Sequence, residues 1–167
     1  MEDRVYFSDQ FFSSGKTDIY NGEKEKIGTL DHKSAFSSGI NIEDILGETV
    51  IEAGFGFFSN KWTIKRGEVE LGFVKNALSF FTKKYRYFKD GQEYEIESPV
   101  MSKEYTIFNS AREEVAAFRK VSGFFQTAAF ELTNHTDLFE ADELIAVIMG
   151  VNAIEKRNNS ASGAGTP

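Results

Sequence analysis

Apolar and polar residues alternate along most of this chain in short runs that end at turn-forming residues. Ile19 leads into Asn21-Gly22, Ile64 into Arg66-Gly67, and Tyr85 and Tyr87 into Asp90-Gly91, with Tyr94 and Ile96 beyond. A period of two puts successive side chains on opposite faces of a strand, and a two-residue turn containing Gly folds neighbouring strands into a hairpin. The pattern predicts strands over 5–12, 17–20, 26–31, 39–43, 49–55, 61–65, 68–75, 83–88, 92–97, 104–108, 114–120 and 128–132. No helical period separates them before residue 137, so they are expected to pair antiparallel. One segment also recurs: Phe11-Phe12-Ser13 with Asn21-Gly22-Glu23 returns as Phe57-Phe58-Ser59 with Arg66-Gly67-Glu68, roughly 45 residues later.

The pattern changes near the end of the chain. Leu138, Phe139, Leu144, Ile145, Ala146, Val147, Ile148, Met149, Val151 and Ile154 cover the whole circumference of a helix, and such a helix has to be buried. Asp137 followed by Glu140 fits an N-cap with its capping-box partner, and Asp142 and Glu143 suit the positive end of the helix dipole. A helix is therefore expected over about 138–156. A closed sheet of about twelve strands is wide enough to hold a helix along its axis. The predicted fold is mainly β: a closed antiparallel barrel of about twelve strands around a buried C-terminal helix. It forms one domain over 1–157, and the Asn, Ser, Ala, Gly, Thr and Pro of 158–167 make a disordered tail.

Two hairpins carry the most cations, and both have expected registers. A turn at Asp90-Gly91 sets Tyr87 opposite Tyr94, Tyr85 opposite Ile96, Arg86 opposite Glu95 and Lys84 opposite Glu97. A turn at Arg66-Gly67 sets Ile64 opposite Val69, Trp62 opposite Leu71 and Lys65 opposite Glu68. In each hairpin one face is then apolar and the other a ladder of opposite charges.

Composition narrows the functional classes. The 167 residues carry a net charge of −7 and an isoelectric point near 5.0, which opposes long-range attraction to nucleic acid and to anionic lipid. Nucleic acid is therefore not an expected partner, and membrane contact is expected to be peripheral and weak. With no cysteine, disulfides, thiolate zinc sites and thiol nucleophiles are excluded. The longest apolar run, Leu144 to Val151, falls far short of the roughly 20 residues of a membrane-spanning helix. Met1-Glu2-Asp3-Arg4 is not the start of a secretory signal, so a cytoplasmic location is expected.

Candidate chemistry is sparse. Lys83-Lys84-Tyr85-Arg86-Tyr87-Phe88-Lys89 interleaves cations with aromatics in the manner of a nucleic-acid or phosphate surface, and Lys83, Lys84 and Arg86 are the candidate anion-binding residues. Against this stands cross-strand pairing with acids, although exposed ion pairs are weak enough to be exchanged for a phosphate. Asp137, Glu140, Asp142 and Glu143 lack the spacing of a calcium loop and read as helix-start acids. His32 and His135 lie among turn-like residues. The serines of Ser13-Ser14-Gly15 and Ser37-Ser38-Gly39 have no strand-to-helix nucleophile elbow. No catalytic, metal or cofactor residue is assigned.

Phe11-Phe12-Ser13, Tyr105-Thr106-Ile107, Val115-Ala116 and the apolar Leu144-Ile145-Ala146-Val147-Ile148 helix together resemble the tubby C-terminal-like superfamily, in particular its LURP-one-related members from bacteria and plants, with the phospholipid scramblases as relatives. The resemblance implies the barrel-and-helix fold over nearly the whole chain. Tubby proteins bind phosphoinositide head groups through exposed basic residues, and no segment here matches such a site residue by residue. Scramblase-like calcium and membrane segments have no counterpart either. The expectation is a non-enzymatic binding or scaffold domain whose ligand the residues leave unidentified, an anionic lipid head group at a membrane surface being the candidate. The alternative is an enzyme with its site at a barrel end or outer groove.

Overall fold

The computed structural model of the protein describes residues 3–33, 39–77, 82–99 and 101–164, without the side chains of 162–164. Ser37 and Ser38 of the second serine cluster therefore lie outside the described residues. Twelve strands follow one another: β1 (Arg4–Ser8), β2 (Gly15–Tyr20), β3 (Lys26–His32), β4 (Ile40–Glu43), β5 (Thr49–Phe55), β6 (Trp62–Arg66), β7 (Val69–Ala77), β8 (Lys83–Lys89), β9 (Gln92–Ser98), β10 (Tyr105–Phe108), β11 (Glu114–Val121) and β12 (Ala129–Asn134). Each pairs antiparallel with its sequence neighbours, and β1 closes the barrel against β12. The strand expected over 5–12 is shorter, because Asp9–Phe12 turns into a 3-10 segment that packs Phe11 into the core.

The Asp90-Gly91 hairpin has the predicted register throughout, from Lys84↔Glu97 to Tyr87↔Tyr94. Asp90 and Gly91 both have positive φ, as the commonest two-residue hairpin turn requires. The Arg66-Gly67 hairpin differs from expectation. Gly67 with its φ of 59° begins the turn, Arg66 pairs with Val69 and Lys65 with Glu70. A bulge at Leu71 then resets the pairing to Ile64↔Gly72 and Trp62↔Val74. Trp62 and Ile64 still face inward, whereas Val69 stays exposed.

The helix α1 (Ala141–Ala164) enters at the end where β12 finishes and runs along the barrel axis. Every residue from Ala141 to Asn152 is buried. Trp62 fixes its depth: the indole Nε1 donates to the Ala146 carbonyl at 3.0 Å, and the ring lies against Gly150, where a Cβ would come within 2.8 Å of Cγ. The helix starts later than predicted, because the Asn134 side chain holds 135–140 in a non-helical turn. Its Nδ2 donates to the Phe139 carbonyl at 2.7 Å, while its Oδ1 accepts from the Thr136 N–H at 3.2 Å. Asp137 and Glu140 thus precede the helix and form no capping box across its start, and Leu138 is exposed. The helix also continues through 158–164, which had been expected to be a disordered tail, while 165–167 lie outside the described residues.

Closure is thinnest between β1 and β2, which share a single register pair, Tyr6↔Tyr20. Aromatics from the β11–β12 connection reinforce that seam. Phe124 stacks on Tyr6 with ring centroids 3.8 Å apart, and Phe125 meets Tyr20 edge-on at 5.1 Å. The outward positions of the strands carry charge pairs such as Lys16–Glu43 and Lys26–Asp18, the opposite of the apolar band of a membrane-spanning barrel. Among the described residues no helix is long and apolar enough to cross a membrane.

Candidate functional site

The helix-start end of the barrel is electrostatically closed. Strand alternation turns Arg66 and Tyr87 inward at that rim, where they meet the first turn of α1. Arg66 donates through both terminal nitrogens to the two oxygens of Asp142, each at 2.9 Å. Glu143 accepts from the Tyr87 hydroxyl at 2.6 Å and from Lys89 at 2.8 Å. Burial, with the Glu143 charge beside it, pushes the Tyr87 phenol well above its ordinary range, so it remains a donor. The helix-start acids are therefore bound by cations from the barrel wall, and among the described residues no cluster of three or more His, Asp or Glu is arranged to hold a metal.

A second buried carboxylate, Glu155, sits toward the other end. It is paired with Lys83, accepts from Tyr105 at 3.2 Å and lies 3.5 Å from Lys103. Burial opposes its ionisation, but these three partners outweigh it and hold the carboxyl below its usual range. Tyr85 nearby is pushed up to about 12, first by burial and then by the Glu155 charge.

Lys83, Lys84 and Arg86 are separated by the same strand alternation. Lys83 faces the interior and is taken by Glu155. Lys84 faces outward, 3.2 Å from Glu95 and 3.1 Å from Glu97, and Arg112 bridges the same two acids. Desolvation of Glu97 is overcome by hydrogen bonding with Glu95, Lys84 and Arg112, which brings its carboxyl down to about 2. Arg86 lies 3.0 Å from Glu93. Lys83 thus points away from the other two, and all three cations already have carboxylate partners.

Three cations that lack such partners among the described residues lie where the helix leaves the barrel. There the β5–β6 connection makes a tight turn, with the Ser59 N–H donating to the Gly56 carbonyl at 3.0 Å. Arg157 of α1 braces this turn: it donates to the Ser59 carbonyl at 3.1 Å, and its guanidinium lies 3.4 Å from the Phe55 ring centroid. Lys61 lies 4.5 Å and Lys75 5.7 Å from the outward Phe73 ring. None of Lys61, Lys75 and Arg157 has a carboxylate partner among the described residues. Beside them a cleft of about 610 Å³ is lined by Phe55, Asn60, Lys75, Asn76, Ile154 and Arg157. Amide and cationic donors around an apolar floor suit a bound anion with an apolar part.

This cluster is assembled from three segments, which is why no single stretch of sequence shows it. The available signal is negative: no Asp or Glu occurs between Ala53 and Gly67, between Leu71 and Lys89, or after Glu155. Barrel topology brings parts of all three runs to one end.

Each histidine has a partner of its own. His32 Nε2 lies 2.9 Å from the Phe11 carbonyl. Burial depresses its pKa, an effect the carbonyl contact opposes and nearby Lys156 reinforces. His135 sits 3.2 Å from Glu114 on the surface.

No protein-family model matches the chain, and no curated protein is similar to it at a significant level. Among solved structures, an X-ray structure of a protein from Arabidopsis thaliana is similar, with a TM-score of 0.61 and 11% identity over 89% of this chain and 90% of that one. At that identity the likeness concerns the fold.

Proposed function

We propose that this protein is a tubby-like domain of the LURP-one-related kind, working in the cytoplasm as a non-enzymatic binding module for an anionic lipid head group. A closed barrel wound around a C-terminal helix supports the fold-level part of this reading. The observation that carries the ligand class is the cluster of Lys61, Lys75 and Arg157 beside a cleft, without carboxylate partners among the described residues, in a chain of net charge −7. A phosphate there meets cations whose charge is not already matched. At Lys84 and Arg86 it would have to displace Glu93, Glu95 and Glu97.

Binding is expected to be modest and salt-sensitive, because each exposed cation near an anionic surface contributes about 1 kcal/mol and is screened by salt. Co-sedimentation with vesicles tests it. Wild-type protein is expected to bind vesicles containing phosphatidylserine or phosphoinositide and to ignore neutral phosphatidylcholine. Lys61→Glu with Lys75→Glu is expected to abolish that binding, and Lys84→Ala with Arg86→Ala to spare it. The reverse ranking of the two double variants would move the site to the outer ladder, and failure of the wild type to bind any anionic vesicle would end the reading.

A further inference from the structure

Phe57 and Phe58 form the tip of the β5–β6 turn, 92% and 97% exposed, and the fold makes no use of their burial. Their rings touch each other, with centroids 4.3 Å apart. Phe58 moreover has a φ of 55°, the left-handed region that bulky side chains rarely occupy. Met101, at the tip of the β9–β10 connection on the same end, repeats the combination with 94% exposure and a φ of 63°. Two apolar side chains held in solvent on strained backbone are unfavourable for the isolated domain, and such strain persists where the surroundings enforce it, often at functional positions.

The turn is also held firmly. Arg157 and the Gly56–Ser59 hydrogen bond fix it from the helix and from within, so the phenylalanines project as a preformed wedge. Lys61 follows three residues after Phe58 and shares the Phe73 ring with Lys75, and Lys75 and Arg157 line the cleft behind the tip. An apolar point backed by unmatched cations is complementary to one kind of surface: the interface of an anionic bilayer, where aromatics enter the head-group region and lysines and arginines meet phosphates.

The opposite end supplies the comparison. Ile45, Leu46, Val69 and Leu138 are exposed there as well. Their sequence neighbours, however, include Asp44, Glu48, Glu68, Glu70, Asp137 and Glu140, while the cations beside them, Arg66 and Lys89, are paired with Asp142 and Glu143. Apolar exposure is thus common to both ends, and charge separates them. Between the ends, α1 from Ala141 to Glu155 spans roughly 21 Å, more than two screening lengths of about 8 Å at physiological salt. The acidic end therefore does little to repel a membrane docked at the other.

We propose that the domain docks on anionic membranes by the end where its helix emerges, inserting Phe57 and Phe58 into the interface while Lys61, Lys75 and Arg157 contact the lipid phosphates. This rests on the head-group reading above and adds to it a bilayer, as opposed to a free phosphate, and an orientation.

Vesicle partitioning of full-length variants tests it. Phe57→Ser with Phe58→Ser is expected to weaken partitioning onto phosphatidylserine-containing vesicles at least tenfold, and Leu46→Ser at the acidic end to leave it unchanged. Phe58→Gly separates function from folding: relief of the left-handed strain is expected to leave the melting temperature undiminished while partitioning falls. If wild type binds anionic vesicles and the phenylalanine variants bind equally well, the insertion is wrong and the head-group reading survives. If wild type binds soluble inositol phosphates but no vesicle, the bilayer is wrong. If it binds neither, both readings fall.

Discussion

Gly150 shows how one residue sets the spacing between helix and barrel wall. Mid-helix glycine costs about 1 kcal/mol relative to alanine, yet here the missing side chain admits Trp62, which is buried and anchored to Ala146. An added methyl would overlap the indole, and forced overpacking costs typically about 1–3 kcal/mol. The overlap falls on a ring pinned at both face and edge, so it outweighs the gain in helix propensity. Gly150→Ala is expected to lower unfolding free energy by roughly 1–2 kcal/mol, measured by urea denaturation. A stabilised variant would show that the helix can move away from Trp62 at little cost.

Among the elements, strands were more legible than helix ends or rim chemistry. Twelve segments were readable because each alternates about a turn, and at Asp90-Gly91 the turn residues specified the register as well. At Arg66-Gly67 the same reasoning misplaced the turn, since Gly67 occupies its first position and the bulge at Leu71 absorbs the difference. The start of α1 was hidden because Asn134, in the preceding strand, closes the turn ahead of it. The unmatched cations were hidden for a topological reason: Lys61, Lys75 and Arg157 are far apart in sequence, while the conspicuous Lys83-Lys84-Tyr85-Arg86 run is split between the faces of β8.

Side chains joining the elements also make stability depend on pH. His32, between the barrel and the Phe11 carbonyl, has a pKa depressed chiefly by burial, so the folded state disfavours its protonated form. Its contribution is present above the unfolded value of about 6.5 and is lost as pH falls below it. Glu155, held low by Lys83, Lys103 and Tyr105 against its desolvation, stabilises above the unfolded carboxylate value of about 4.3 and is lost on further acidification. Melting temperature is therefore expected to decline in two stages, one beginning near pH 6.5 and one near 4.3. His32→Gln is expected to remove only the first stage. A wild-type profile flat from pH 7 to 5 would contradict the account of His32.

At the scale of the whole molecule, the two ends of the barrel are chemically different. One rim is locked by Arg66–Asp142 and by Tyr87 and Lys89 on Glu143, and is surrounded by acids. The other carries Lys61, Lys75 and Arg157, which have no carboxylate partner among the described residues, behind Phe57 and Phe58. The net charge of −7 hides this polarity, because it sums over a surface that salt divides into separately screened regions. Orientation on a membrane is the most direct consequence. The chain contains no cysteine, so a nitroxide can be placed without background at Met101→Cys on the helix-exit end or at Leu46→Cys on the acidic end. Electron paramagnetic resonance accessibility, with a water-soluble relaxant and phosphatidylserine-containing vesicles, compares the two sites. The account predicts that the label at 101 becomes shielded when vesicles are added and the label at 46 does not; shielding of the label at 46 alone, or equal exposure of both on bound protein, would contradict it.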